Sequence, residues 1–200
     1  MNKTKDLPVS EPINIALIYG STREGRFCDT VAEWAAREIR GTDGFALDVI
    51  DPAKLELPGR IEEEDSPAVT ELHKRIEAAD AFVVVTPEYN HSFPSALKFV
   101  IDLVSEPWQA KPVGFVSYGG VSGGLRAVEH LRLVFAELHA VTVRDSVSFA
   151  SAWDLFNEKG ELIEPDRPRR TLARMLAQLA WWANAVRERR HASPYEKVAG

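Results

Sequence analysis

The stretch from Ile13 to Trp34, INIALIYGSTREGRFCDTVAEW, restricts this chain more than any other. Its apolar run ends abruptly at Gly20, and small, polar and basic residues follow from Ser21 to Arg26. Apolar residues then return at helical spacing, at Phe27, Val31, Trp34 and Ala35. A buried strand, a tight turn and a helix over about Gly25–Arg40 satisfy that pattern. The free N–H groups and positive dipole end of such a helix attract an anion. Ser21 and Thr22 add hydroxyls, and Arg23 and Arg26 add guanidinium forks matched to phosphate oxygens. The turn has neither the lysine of a P-loop nor the third glycine of the dinucleotide fingerprint, so those two phosphate loops are set aside.

The same sequence of strand, turn and helix recurs downstream. Phe45, Leu47 and Val49 predict a second strand. Residues 51–67 carry three prolines and the acidic run Glu62–Asp65, which reads as a solvated surface loop. Val69–Ala78 is expected to be a helix, and Ala81–Thr86, apolar on both faces, a strand in the middle of a parallel sheet. Pro87–Asn90 ends that strand. Pro94 suits the first position of a helix burying Leu97, Val100, Ile101 and Val104, which Pro107 breaks. A fourth strand, Pro112–Ser117, opens into the glycine-rich turn Tyr118–Gly124. A long helix follows, then a fifth strand marked by Val141, Val143, Val147 and Phe149. Ser151–Pro168 reads as a loop turning at Lys159–Gly160, and Arg169–Arg190 as the last helix. Residues from His191 onward read as a loose tail.

Alternating strands and helices call for an α/β fold with both faces of a parallel sheet covered. A length of 200 residues predicts one domain over residues 1–200, with its core at about 12–190. The net charge of −6 and the lack of a basic, aromatic-rich stretch argue against a nucleic-acid partner. Cys28 is the single cysteine, so disulfides within the chain and Cys-clustered metal sites are excluded. His73, His130 and His139 share no metal-ligand spacing. The polar N-terminal stretch and the absence of an apolar run of ~20 residues lead us to expect a cytoplasmic protein with no membrane partner.

Each unusual turn lies at the carboxyl end of a strand: Gly20–Arg26, Pro87–Asn90 and Tyr118–Gly124. In a sheet of order 2-1-3-4-5 those strands are neighbours, and ligands collect at such a point. GSTREGR with Trp34 behind it, TPEYNHSFPSALK, and SYGGVSGG before a helix together resemble the NADPH-dependent FMN reductase family. The likeness covers roughly Ile13–Val147. Its most specific part is Pro87-Glu88-Tyr89-Asn90 followed by Pro94, Leu97 and Lys98. It implies a flavodoxin-like three-layer sandwich with a five-stranded parallel sheet.

The resemblance implies FMN as cofactor and NADPH, or NADH, as hydride donor. It also implies a small-molecule acceptor, such as free flavin, a quinone, an azo compound or a metal oxyanion. Ser21 and Arg23 would bind the FMN phosphate beside the backbone of Arg26, Phe27 and Cys28. Relatives often carry small hydroxyl or amide residues where Arg26 and Cys28 stand here. Pro87, Glu88, Tyr89 and Asn90 would lie along the isoalloxazine ring, and Ser117, Tyr118, Gly119 and Gly120 would hold its other edge. Hydride transfer between stacked rings requires no general acid or nucleophile, so no catalytic side chain and no metal are expected. His91 reads as a loop residue and Cys28 as a small packing residue. The alternative is an electron carrier that binds FMN without turning over nicotinamide. Such carriers use a hydroxyl-rich loop that is missing here. Apolar residues on more than one side of the helix 124–139, with Phe99, Leu103 and Trp108 as further exposed candidates, predict a homodimer or homotetramer.

Overall fold

A computed structural model describes residues 11–60, 66–195 and 197, so the acidic run Glu62–Asp65 lies outside the described residues. In chain order the elements are β1 (Ile13–Tyr19), α1 (Cys28–Arg40), β2 (Phe45–Ile50), α2 (Pro67–Ala78), β3 (Ala81–Pro87) and α3 (Ser95–Asp102). There follow β4 (Pro112–Gly119), α4 (Leu125–Glu137), β5 (Val141–Thr142), β6 (Val147–Ala150) and α5 (Asp166–Ala192). The strands form one parallel sheet in the order β2-β1-β3-β4-β5, with β6 also paired to β4. This is the flavodoxin-like arrangement.

The period of two along each strand builds the layers. Ile13, Ile15, Leu17 and Tyr19 of β1, with Val83 and Val85 of β3, face the buried sides of α1 and α5. Ala16, Ile18, Phe82, Val84, Val113 and Phe115 face α2, α3 and α4. β3 and β4 are buried along their whole length, as strands covered on both faces must be.

Several boundaries differ from the sequence reading. α1 starts at Cys28 because Gly25 adopts a left-handed backbone (φ +63°) and keeps residues 21–27 in the turn. The fifth strand divides in two: Pro112 pairs with Val141 and Val116 with Val147, and residues 144–146 step out of the ladder between them. α5 begins at Asp166, since Pro168 in the first turn removes an N–H that has no helical partner there. Pro94 caps α3 instead of starting it, and α3 ends before Pro107 is reached. The helix continues past His191, and Tyr195 beyond it reaches His139 Nδ1 (3.2 Å), so the expected loose tail is partly packed.

Leu103 and Trp108, expected at the surface, are buried. Trp108 is enclosed by Phe82 and Phe135, with ring centroids at 4.6 and 5.5 Å, and its indole N–H donates to the Ile101 and Val104 carbonyls. A chain reversal after α3 folds it beneath the helices.

Candidate functional site

The first turn leaves β1 at Gly20 and enters α1 with no side-chain cap. Among the described residues, none accepts from the backbone N–H of Thr22, Glu24, Gly25, Arg26 or Phe27. Ser21 is buried, and its hydroxyl lies 3.0 Å from the Tyr89 hydroxyl. The exposed Arg23 places its guanidinium 3.8 Å from the centroid of the Tyr89 ring. Uncapped donors, a hydroxyl and a guanidinium thus sit together, as a phosphate monoester requires.

Arg26 is committed elsewhere. It donates to both Asp51 oxygens (2.9 and 2.6 Å), to Asp29 (2.8 Å) and to the Ser21 carbonyl. Burial works against its charge, but the bonds to Asp51 and Asp29 outweigh it and raise its pKa. Arg26 therefore braces the turn against the end of β2. Asp51 was expected in a surface loop; it is buried, and it also accepts from the Ala53 N–H (3.1 Å). Cys28 packs into the core with its thiol toward the Val85 carbonyl, and burial pushes its pKa up to about 11. A thiol held protonated is a packing group, not a redox nucleophile. Phe27 turns toward Tyr118 and Phe156.

The second turn is a tight hairpin in which Tyr89 and Ser92 exchange backbone hydrogen bonds of 2.8 and 3.1 Å. Asn90 (φ 48°) and His91 (φ 74°) are both left-handed, the signature of a two-residue type I′ turn. α4 holds this hairpin at two points. Glu88 accepts from Ser122 Oγ (2.6 Å), the Arg126 N–H (3.2 Å) and the Arg126 guanidinium. Burial opposes its charge, yet these bonds and the guanidinium hold its carboxyl below the usual carboxylate range. Farther along, Ser92 Oγ meets His130 Nδ1 at 2.8 Å.

The third turn follows β4. The Ser117 hydroxyl donates to the Gly123 carbonyl (2.8 Å), which Ser148 also reaches (2.9 Å). The Tyr118 ring is buried beside Phe27, while its carbonyl accepts from the Glu88 N–H (3.1 Å). A Cβ on Gly119 would stand 3.6 Å from Glu88 Cβ, so the second and third turns touch there. Gly120 has Trp153 Cη2 as its neighbour, 3.9 Å from the position a Cβ would take.

The three turns therefore meet at one edge of the sheet, the first touching the second at Ser21–Tyr89 and the second touching the third at Glu88–Ser122, as their places on neighbouring strands require. The sequence reading brought Ser21, Arg23, Glu88 and Tyr89 together and missed Asp51, Ser122, Arg126 and Trp153. An acid at the end of β2, next to the strand that carries the turn, was the available signal for Asp51. A separate cavity of about 750 Å³ lies along β6 between Ser148, Leu155, Ile163, Arg167 and Arg174, and no residue of the three turns lines it. Among the described residues, no group of three or more His, Cys, Asp or Glu could hold a metal ion.

Solved structures share this architecture. The flavoenzyme NAD(P)H:(acceptor) oxidoreductase FerB of Paracoccus denitrificans superposes with a TM-score of 0.68 at 21% identity, covering 86% of this chain and 98% of that one. A Streptococcus pneumoniae flavodoxin does so at 0.54 and 16%, covering 84% and 97%. At these identities the likeness is one of fold. In sequence, an NAD(P)H-dependent FMN reductase of Pseudomonas aeruginosa is 30% identical over 192 residues, 90% of this chain and all of the relative. A quinone reductase of Pseudomonas putida is 31% identical over 170 residues, 80% and 90% respectively. The family model described as NADPH-dependent FMN reductase matches residues 13–154, and the chain belongs to this family of oxidoreductases.

Proposed function

We propose that the crevice binds FMN, with its phosphate in the turn Ser21–Phe27 and its ring system between Pro87–Asn90 and Ser117–Gly120. The observation that carries this reading is the set of unpartnered N–H groups at the uncapped start of α1, with Ser21 and Arg23 beside it. When bound, FMN supplies hydride acceptance from NAD(P)H and donation of two electrons to a small acceptor, whether flavin, quinone, azo compound or metal oxyanion. The protein's own contribution is positional. Tyr89 joins the phosphate turn to the ring side through Ser21, and Glu88 fixes the hairpin to Arg126 of α4. Gly119 and Gly120 put no side chain of their own on the far edge, so backbone can approach the ring. With Glu88 held ionised by Arg126 and Ser122, no acid is available from it for proton transfer at neutral pH.

Arg23→Ala tests the assignment. FMN affinity should fall by about 1.5–3 kcal/mol, the worth of a charge-assisted hydrogen bond, while riboflavin affinity hardly changes. Equal losses for the two flavins would remove the phosphate from this turn. We also propose a homodimer or homotetramer, on the strength of the exposed Leu133 (73%) and Leu125 (50%) of α4. A monomer in light scattering at micromolar concentration would contradict this.

A further inference from the structure

We infer that Trp153 is a specificity-determining residue, a stacking wall at the mouth of the crevice for planar aromatic or quinonoid acceptors. The inference rests on the FMN site proposed above. Trp153 is 58% exposed, although a tryptophan left in water forgoes much of its burial energy. Its ring reaches back to Gly120, on the edge assigned to the ring system.

The residues around it are anchored. Ser151 donates its N–H to the Gly120 carbonyl (3.0 Å), the same oxygen that takes the Gly123 N–H (3.1 Å). Ser151 is held left-handed (φ 47°), and the 3-10 turn Ala152–Asp154 closes through Asp154 N–H to the Ser151 carbonyl (2.9 Å). Ala152 is buried, and Phe156 packs edge-on to Phe149 (5.3 Å) and Phe27 (5.7 Å). The backbone that carries the exposed indole is thus anchored by buried Ala152 before it and buried Phe156 after it. Val121, 97% exposed, lies one residue beyond Gly120 on the same turn. An aromatic face beside a cofactor edge favours flat, apolar partners and offers nothing particular to a compact hydrated anion.

The test compares Trp153→Ala and Trp153→Phe with wild-type holoenzyme. Oxidised flavin has no electrons to give, so 1,4-naphthoquinone can be titrated into oxidised holoenzyme by calorimetry without turnover. Its Kd, and its KM in steady-state reduction, should rise about tenfold in Trp153→Ala and no more than about threefold in Trp153→Phe. FMN content from the visible spectrum should be unchanged, and kcat/KM for ferricyanide should stay within about twofold. Unchanged naphthoquinone binding in a flavin-loaded Trp153→Ala variant would overturn the inference alone. So would loss of FMN, equal losses for both acceptors, or dissociation of an oligomer, each of which gives the indole a different partner. A wild-type protein that takes up no FMN would instead overturn the site on which the inference rests.

Discussion

Where β3 and β4 begin, Lys111 is buried with its ammonium on the carbonyls of Ile76 (2.9 Å) and Glu77 (2.8 Å), closing the end of α2. Asp80 beside it takes the Asn14 N–H (3.1 Å) and pairs with Arg187 (3.3 Å) and Arg190 (3.6 Å). At the opposite end of the sheet the Arg23 guanidinium meets only the Tyr89 ring among the described contacts, and the start of α1 keeps its donors open. Strain does not separate the two ends: Ala110 and His139 have positive φ at the first, and Asn90, His91 and Ser151 at the second. The difference is unspent hydrogen bonding. Both ends pair buried charges, Asp80 with Arg187 and Arg190 at the first and Asp51 with Arg26 at the second, but only the second leaves donors over, which is how a binding site differs from a structural ion cluster.

The most damaging way to break the open end is Gly124→Ala. Gly124 has φ +84°, and a Cβ there would lie 2.7 Å from Ser117 Cβ and 2.9 Å from the Tyr118 backbone nitrogen. Left-handed strain and overpacking together should cost about 2–5 kcal/mol. The third turn should shift, and flavin uptake should fall with it. A variant with wild-type urea midpoint and full FMN content would show that this turn does not hold the ring edge.

The closed end carries a pH signature. Burial, helped by the Arg190 charge, pushes the Lys111 pKa from its ordinary 10.5 down to about 8. Between those values the unfolded chain holds a proton that the folded chain has released, so the lysine's contribution to stability rises with pH from about 8 to 10.5. Below that window the folded state carries the full cost of the buried charge. Relative to Lys111→Met, wild type should gain on the order of 3 kcal/mol across the window in urea titrations. Parallel stability curves for the two proteins would mean that Lys111 is solvated in the fold.

How much of this was legible follows the same division. The apolar run Ile13–Tyr19 and the doubly apolar Ala81–Thr86 showed the middle of the sheet, because burial on both faces leaves a pattern in one strand alone. The three turns could be placed at one edge because each followed a recognisable strand. What was hidden depends on pairs far apart in the chain. Arg26 looked like a phosphate ligand until Asp51, 25 residues on, claimed its guanidinium. Trp108 looked exposed because its partners Phe82 and Phe135 come from β3 and α4. The break at 144–146 was visible in Arg144-Asp145-Ser146, three polar residues between Val143 and Val147, and reading the valines as one strand passed over it.

The smallest effect tests what strain at the open end is for. His91 sits at the second central position of a type I′ turn, where glycine is favoured and a branched ring side chain is not. It is exposed, and the hairpin's ties to α4 run through Glu88 and Ser92, leaving its imidazole out of them. His91→Gly removes the left-handed penalty and adds some unfolded-state entropy, so a net gain of about 0.5–1 kcal/mol is expected. Tyr89 and Ser92 would keep their paired backbone bonds, and Tyr89 would stay on Ser21. Turnover with NADPH should then change by less than about tenfold, or some 1.4 kcal/mol of barrier. Stability is read from urea denaturation and turnover from NADPH oxidation at matched flavin content. If the variant is more stable, fully loaded with FMN and a thousandfold slower, the strained imidazole transfers a proton, and the open end does chemistry beyond holding two rings together.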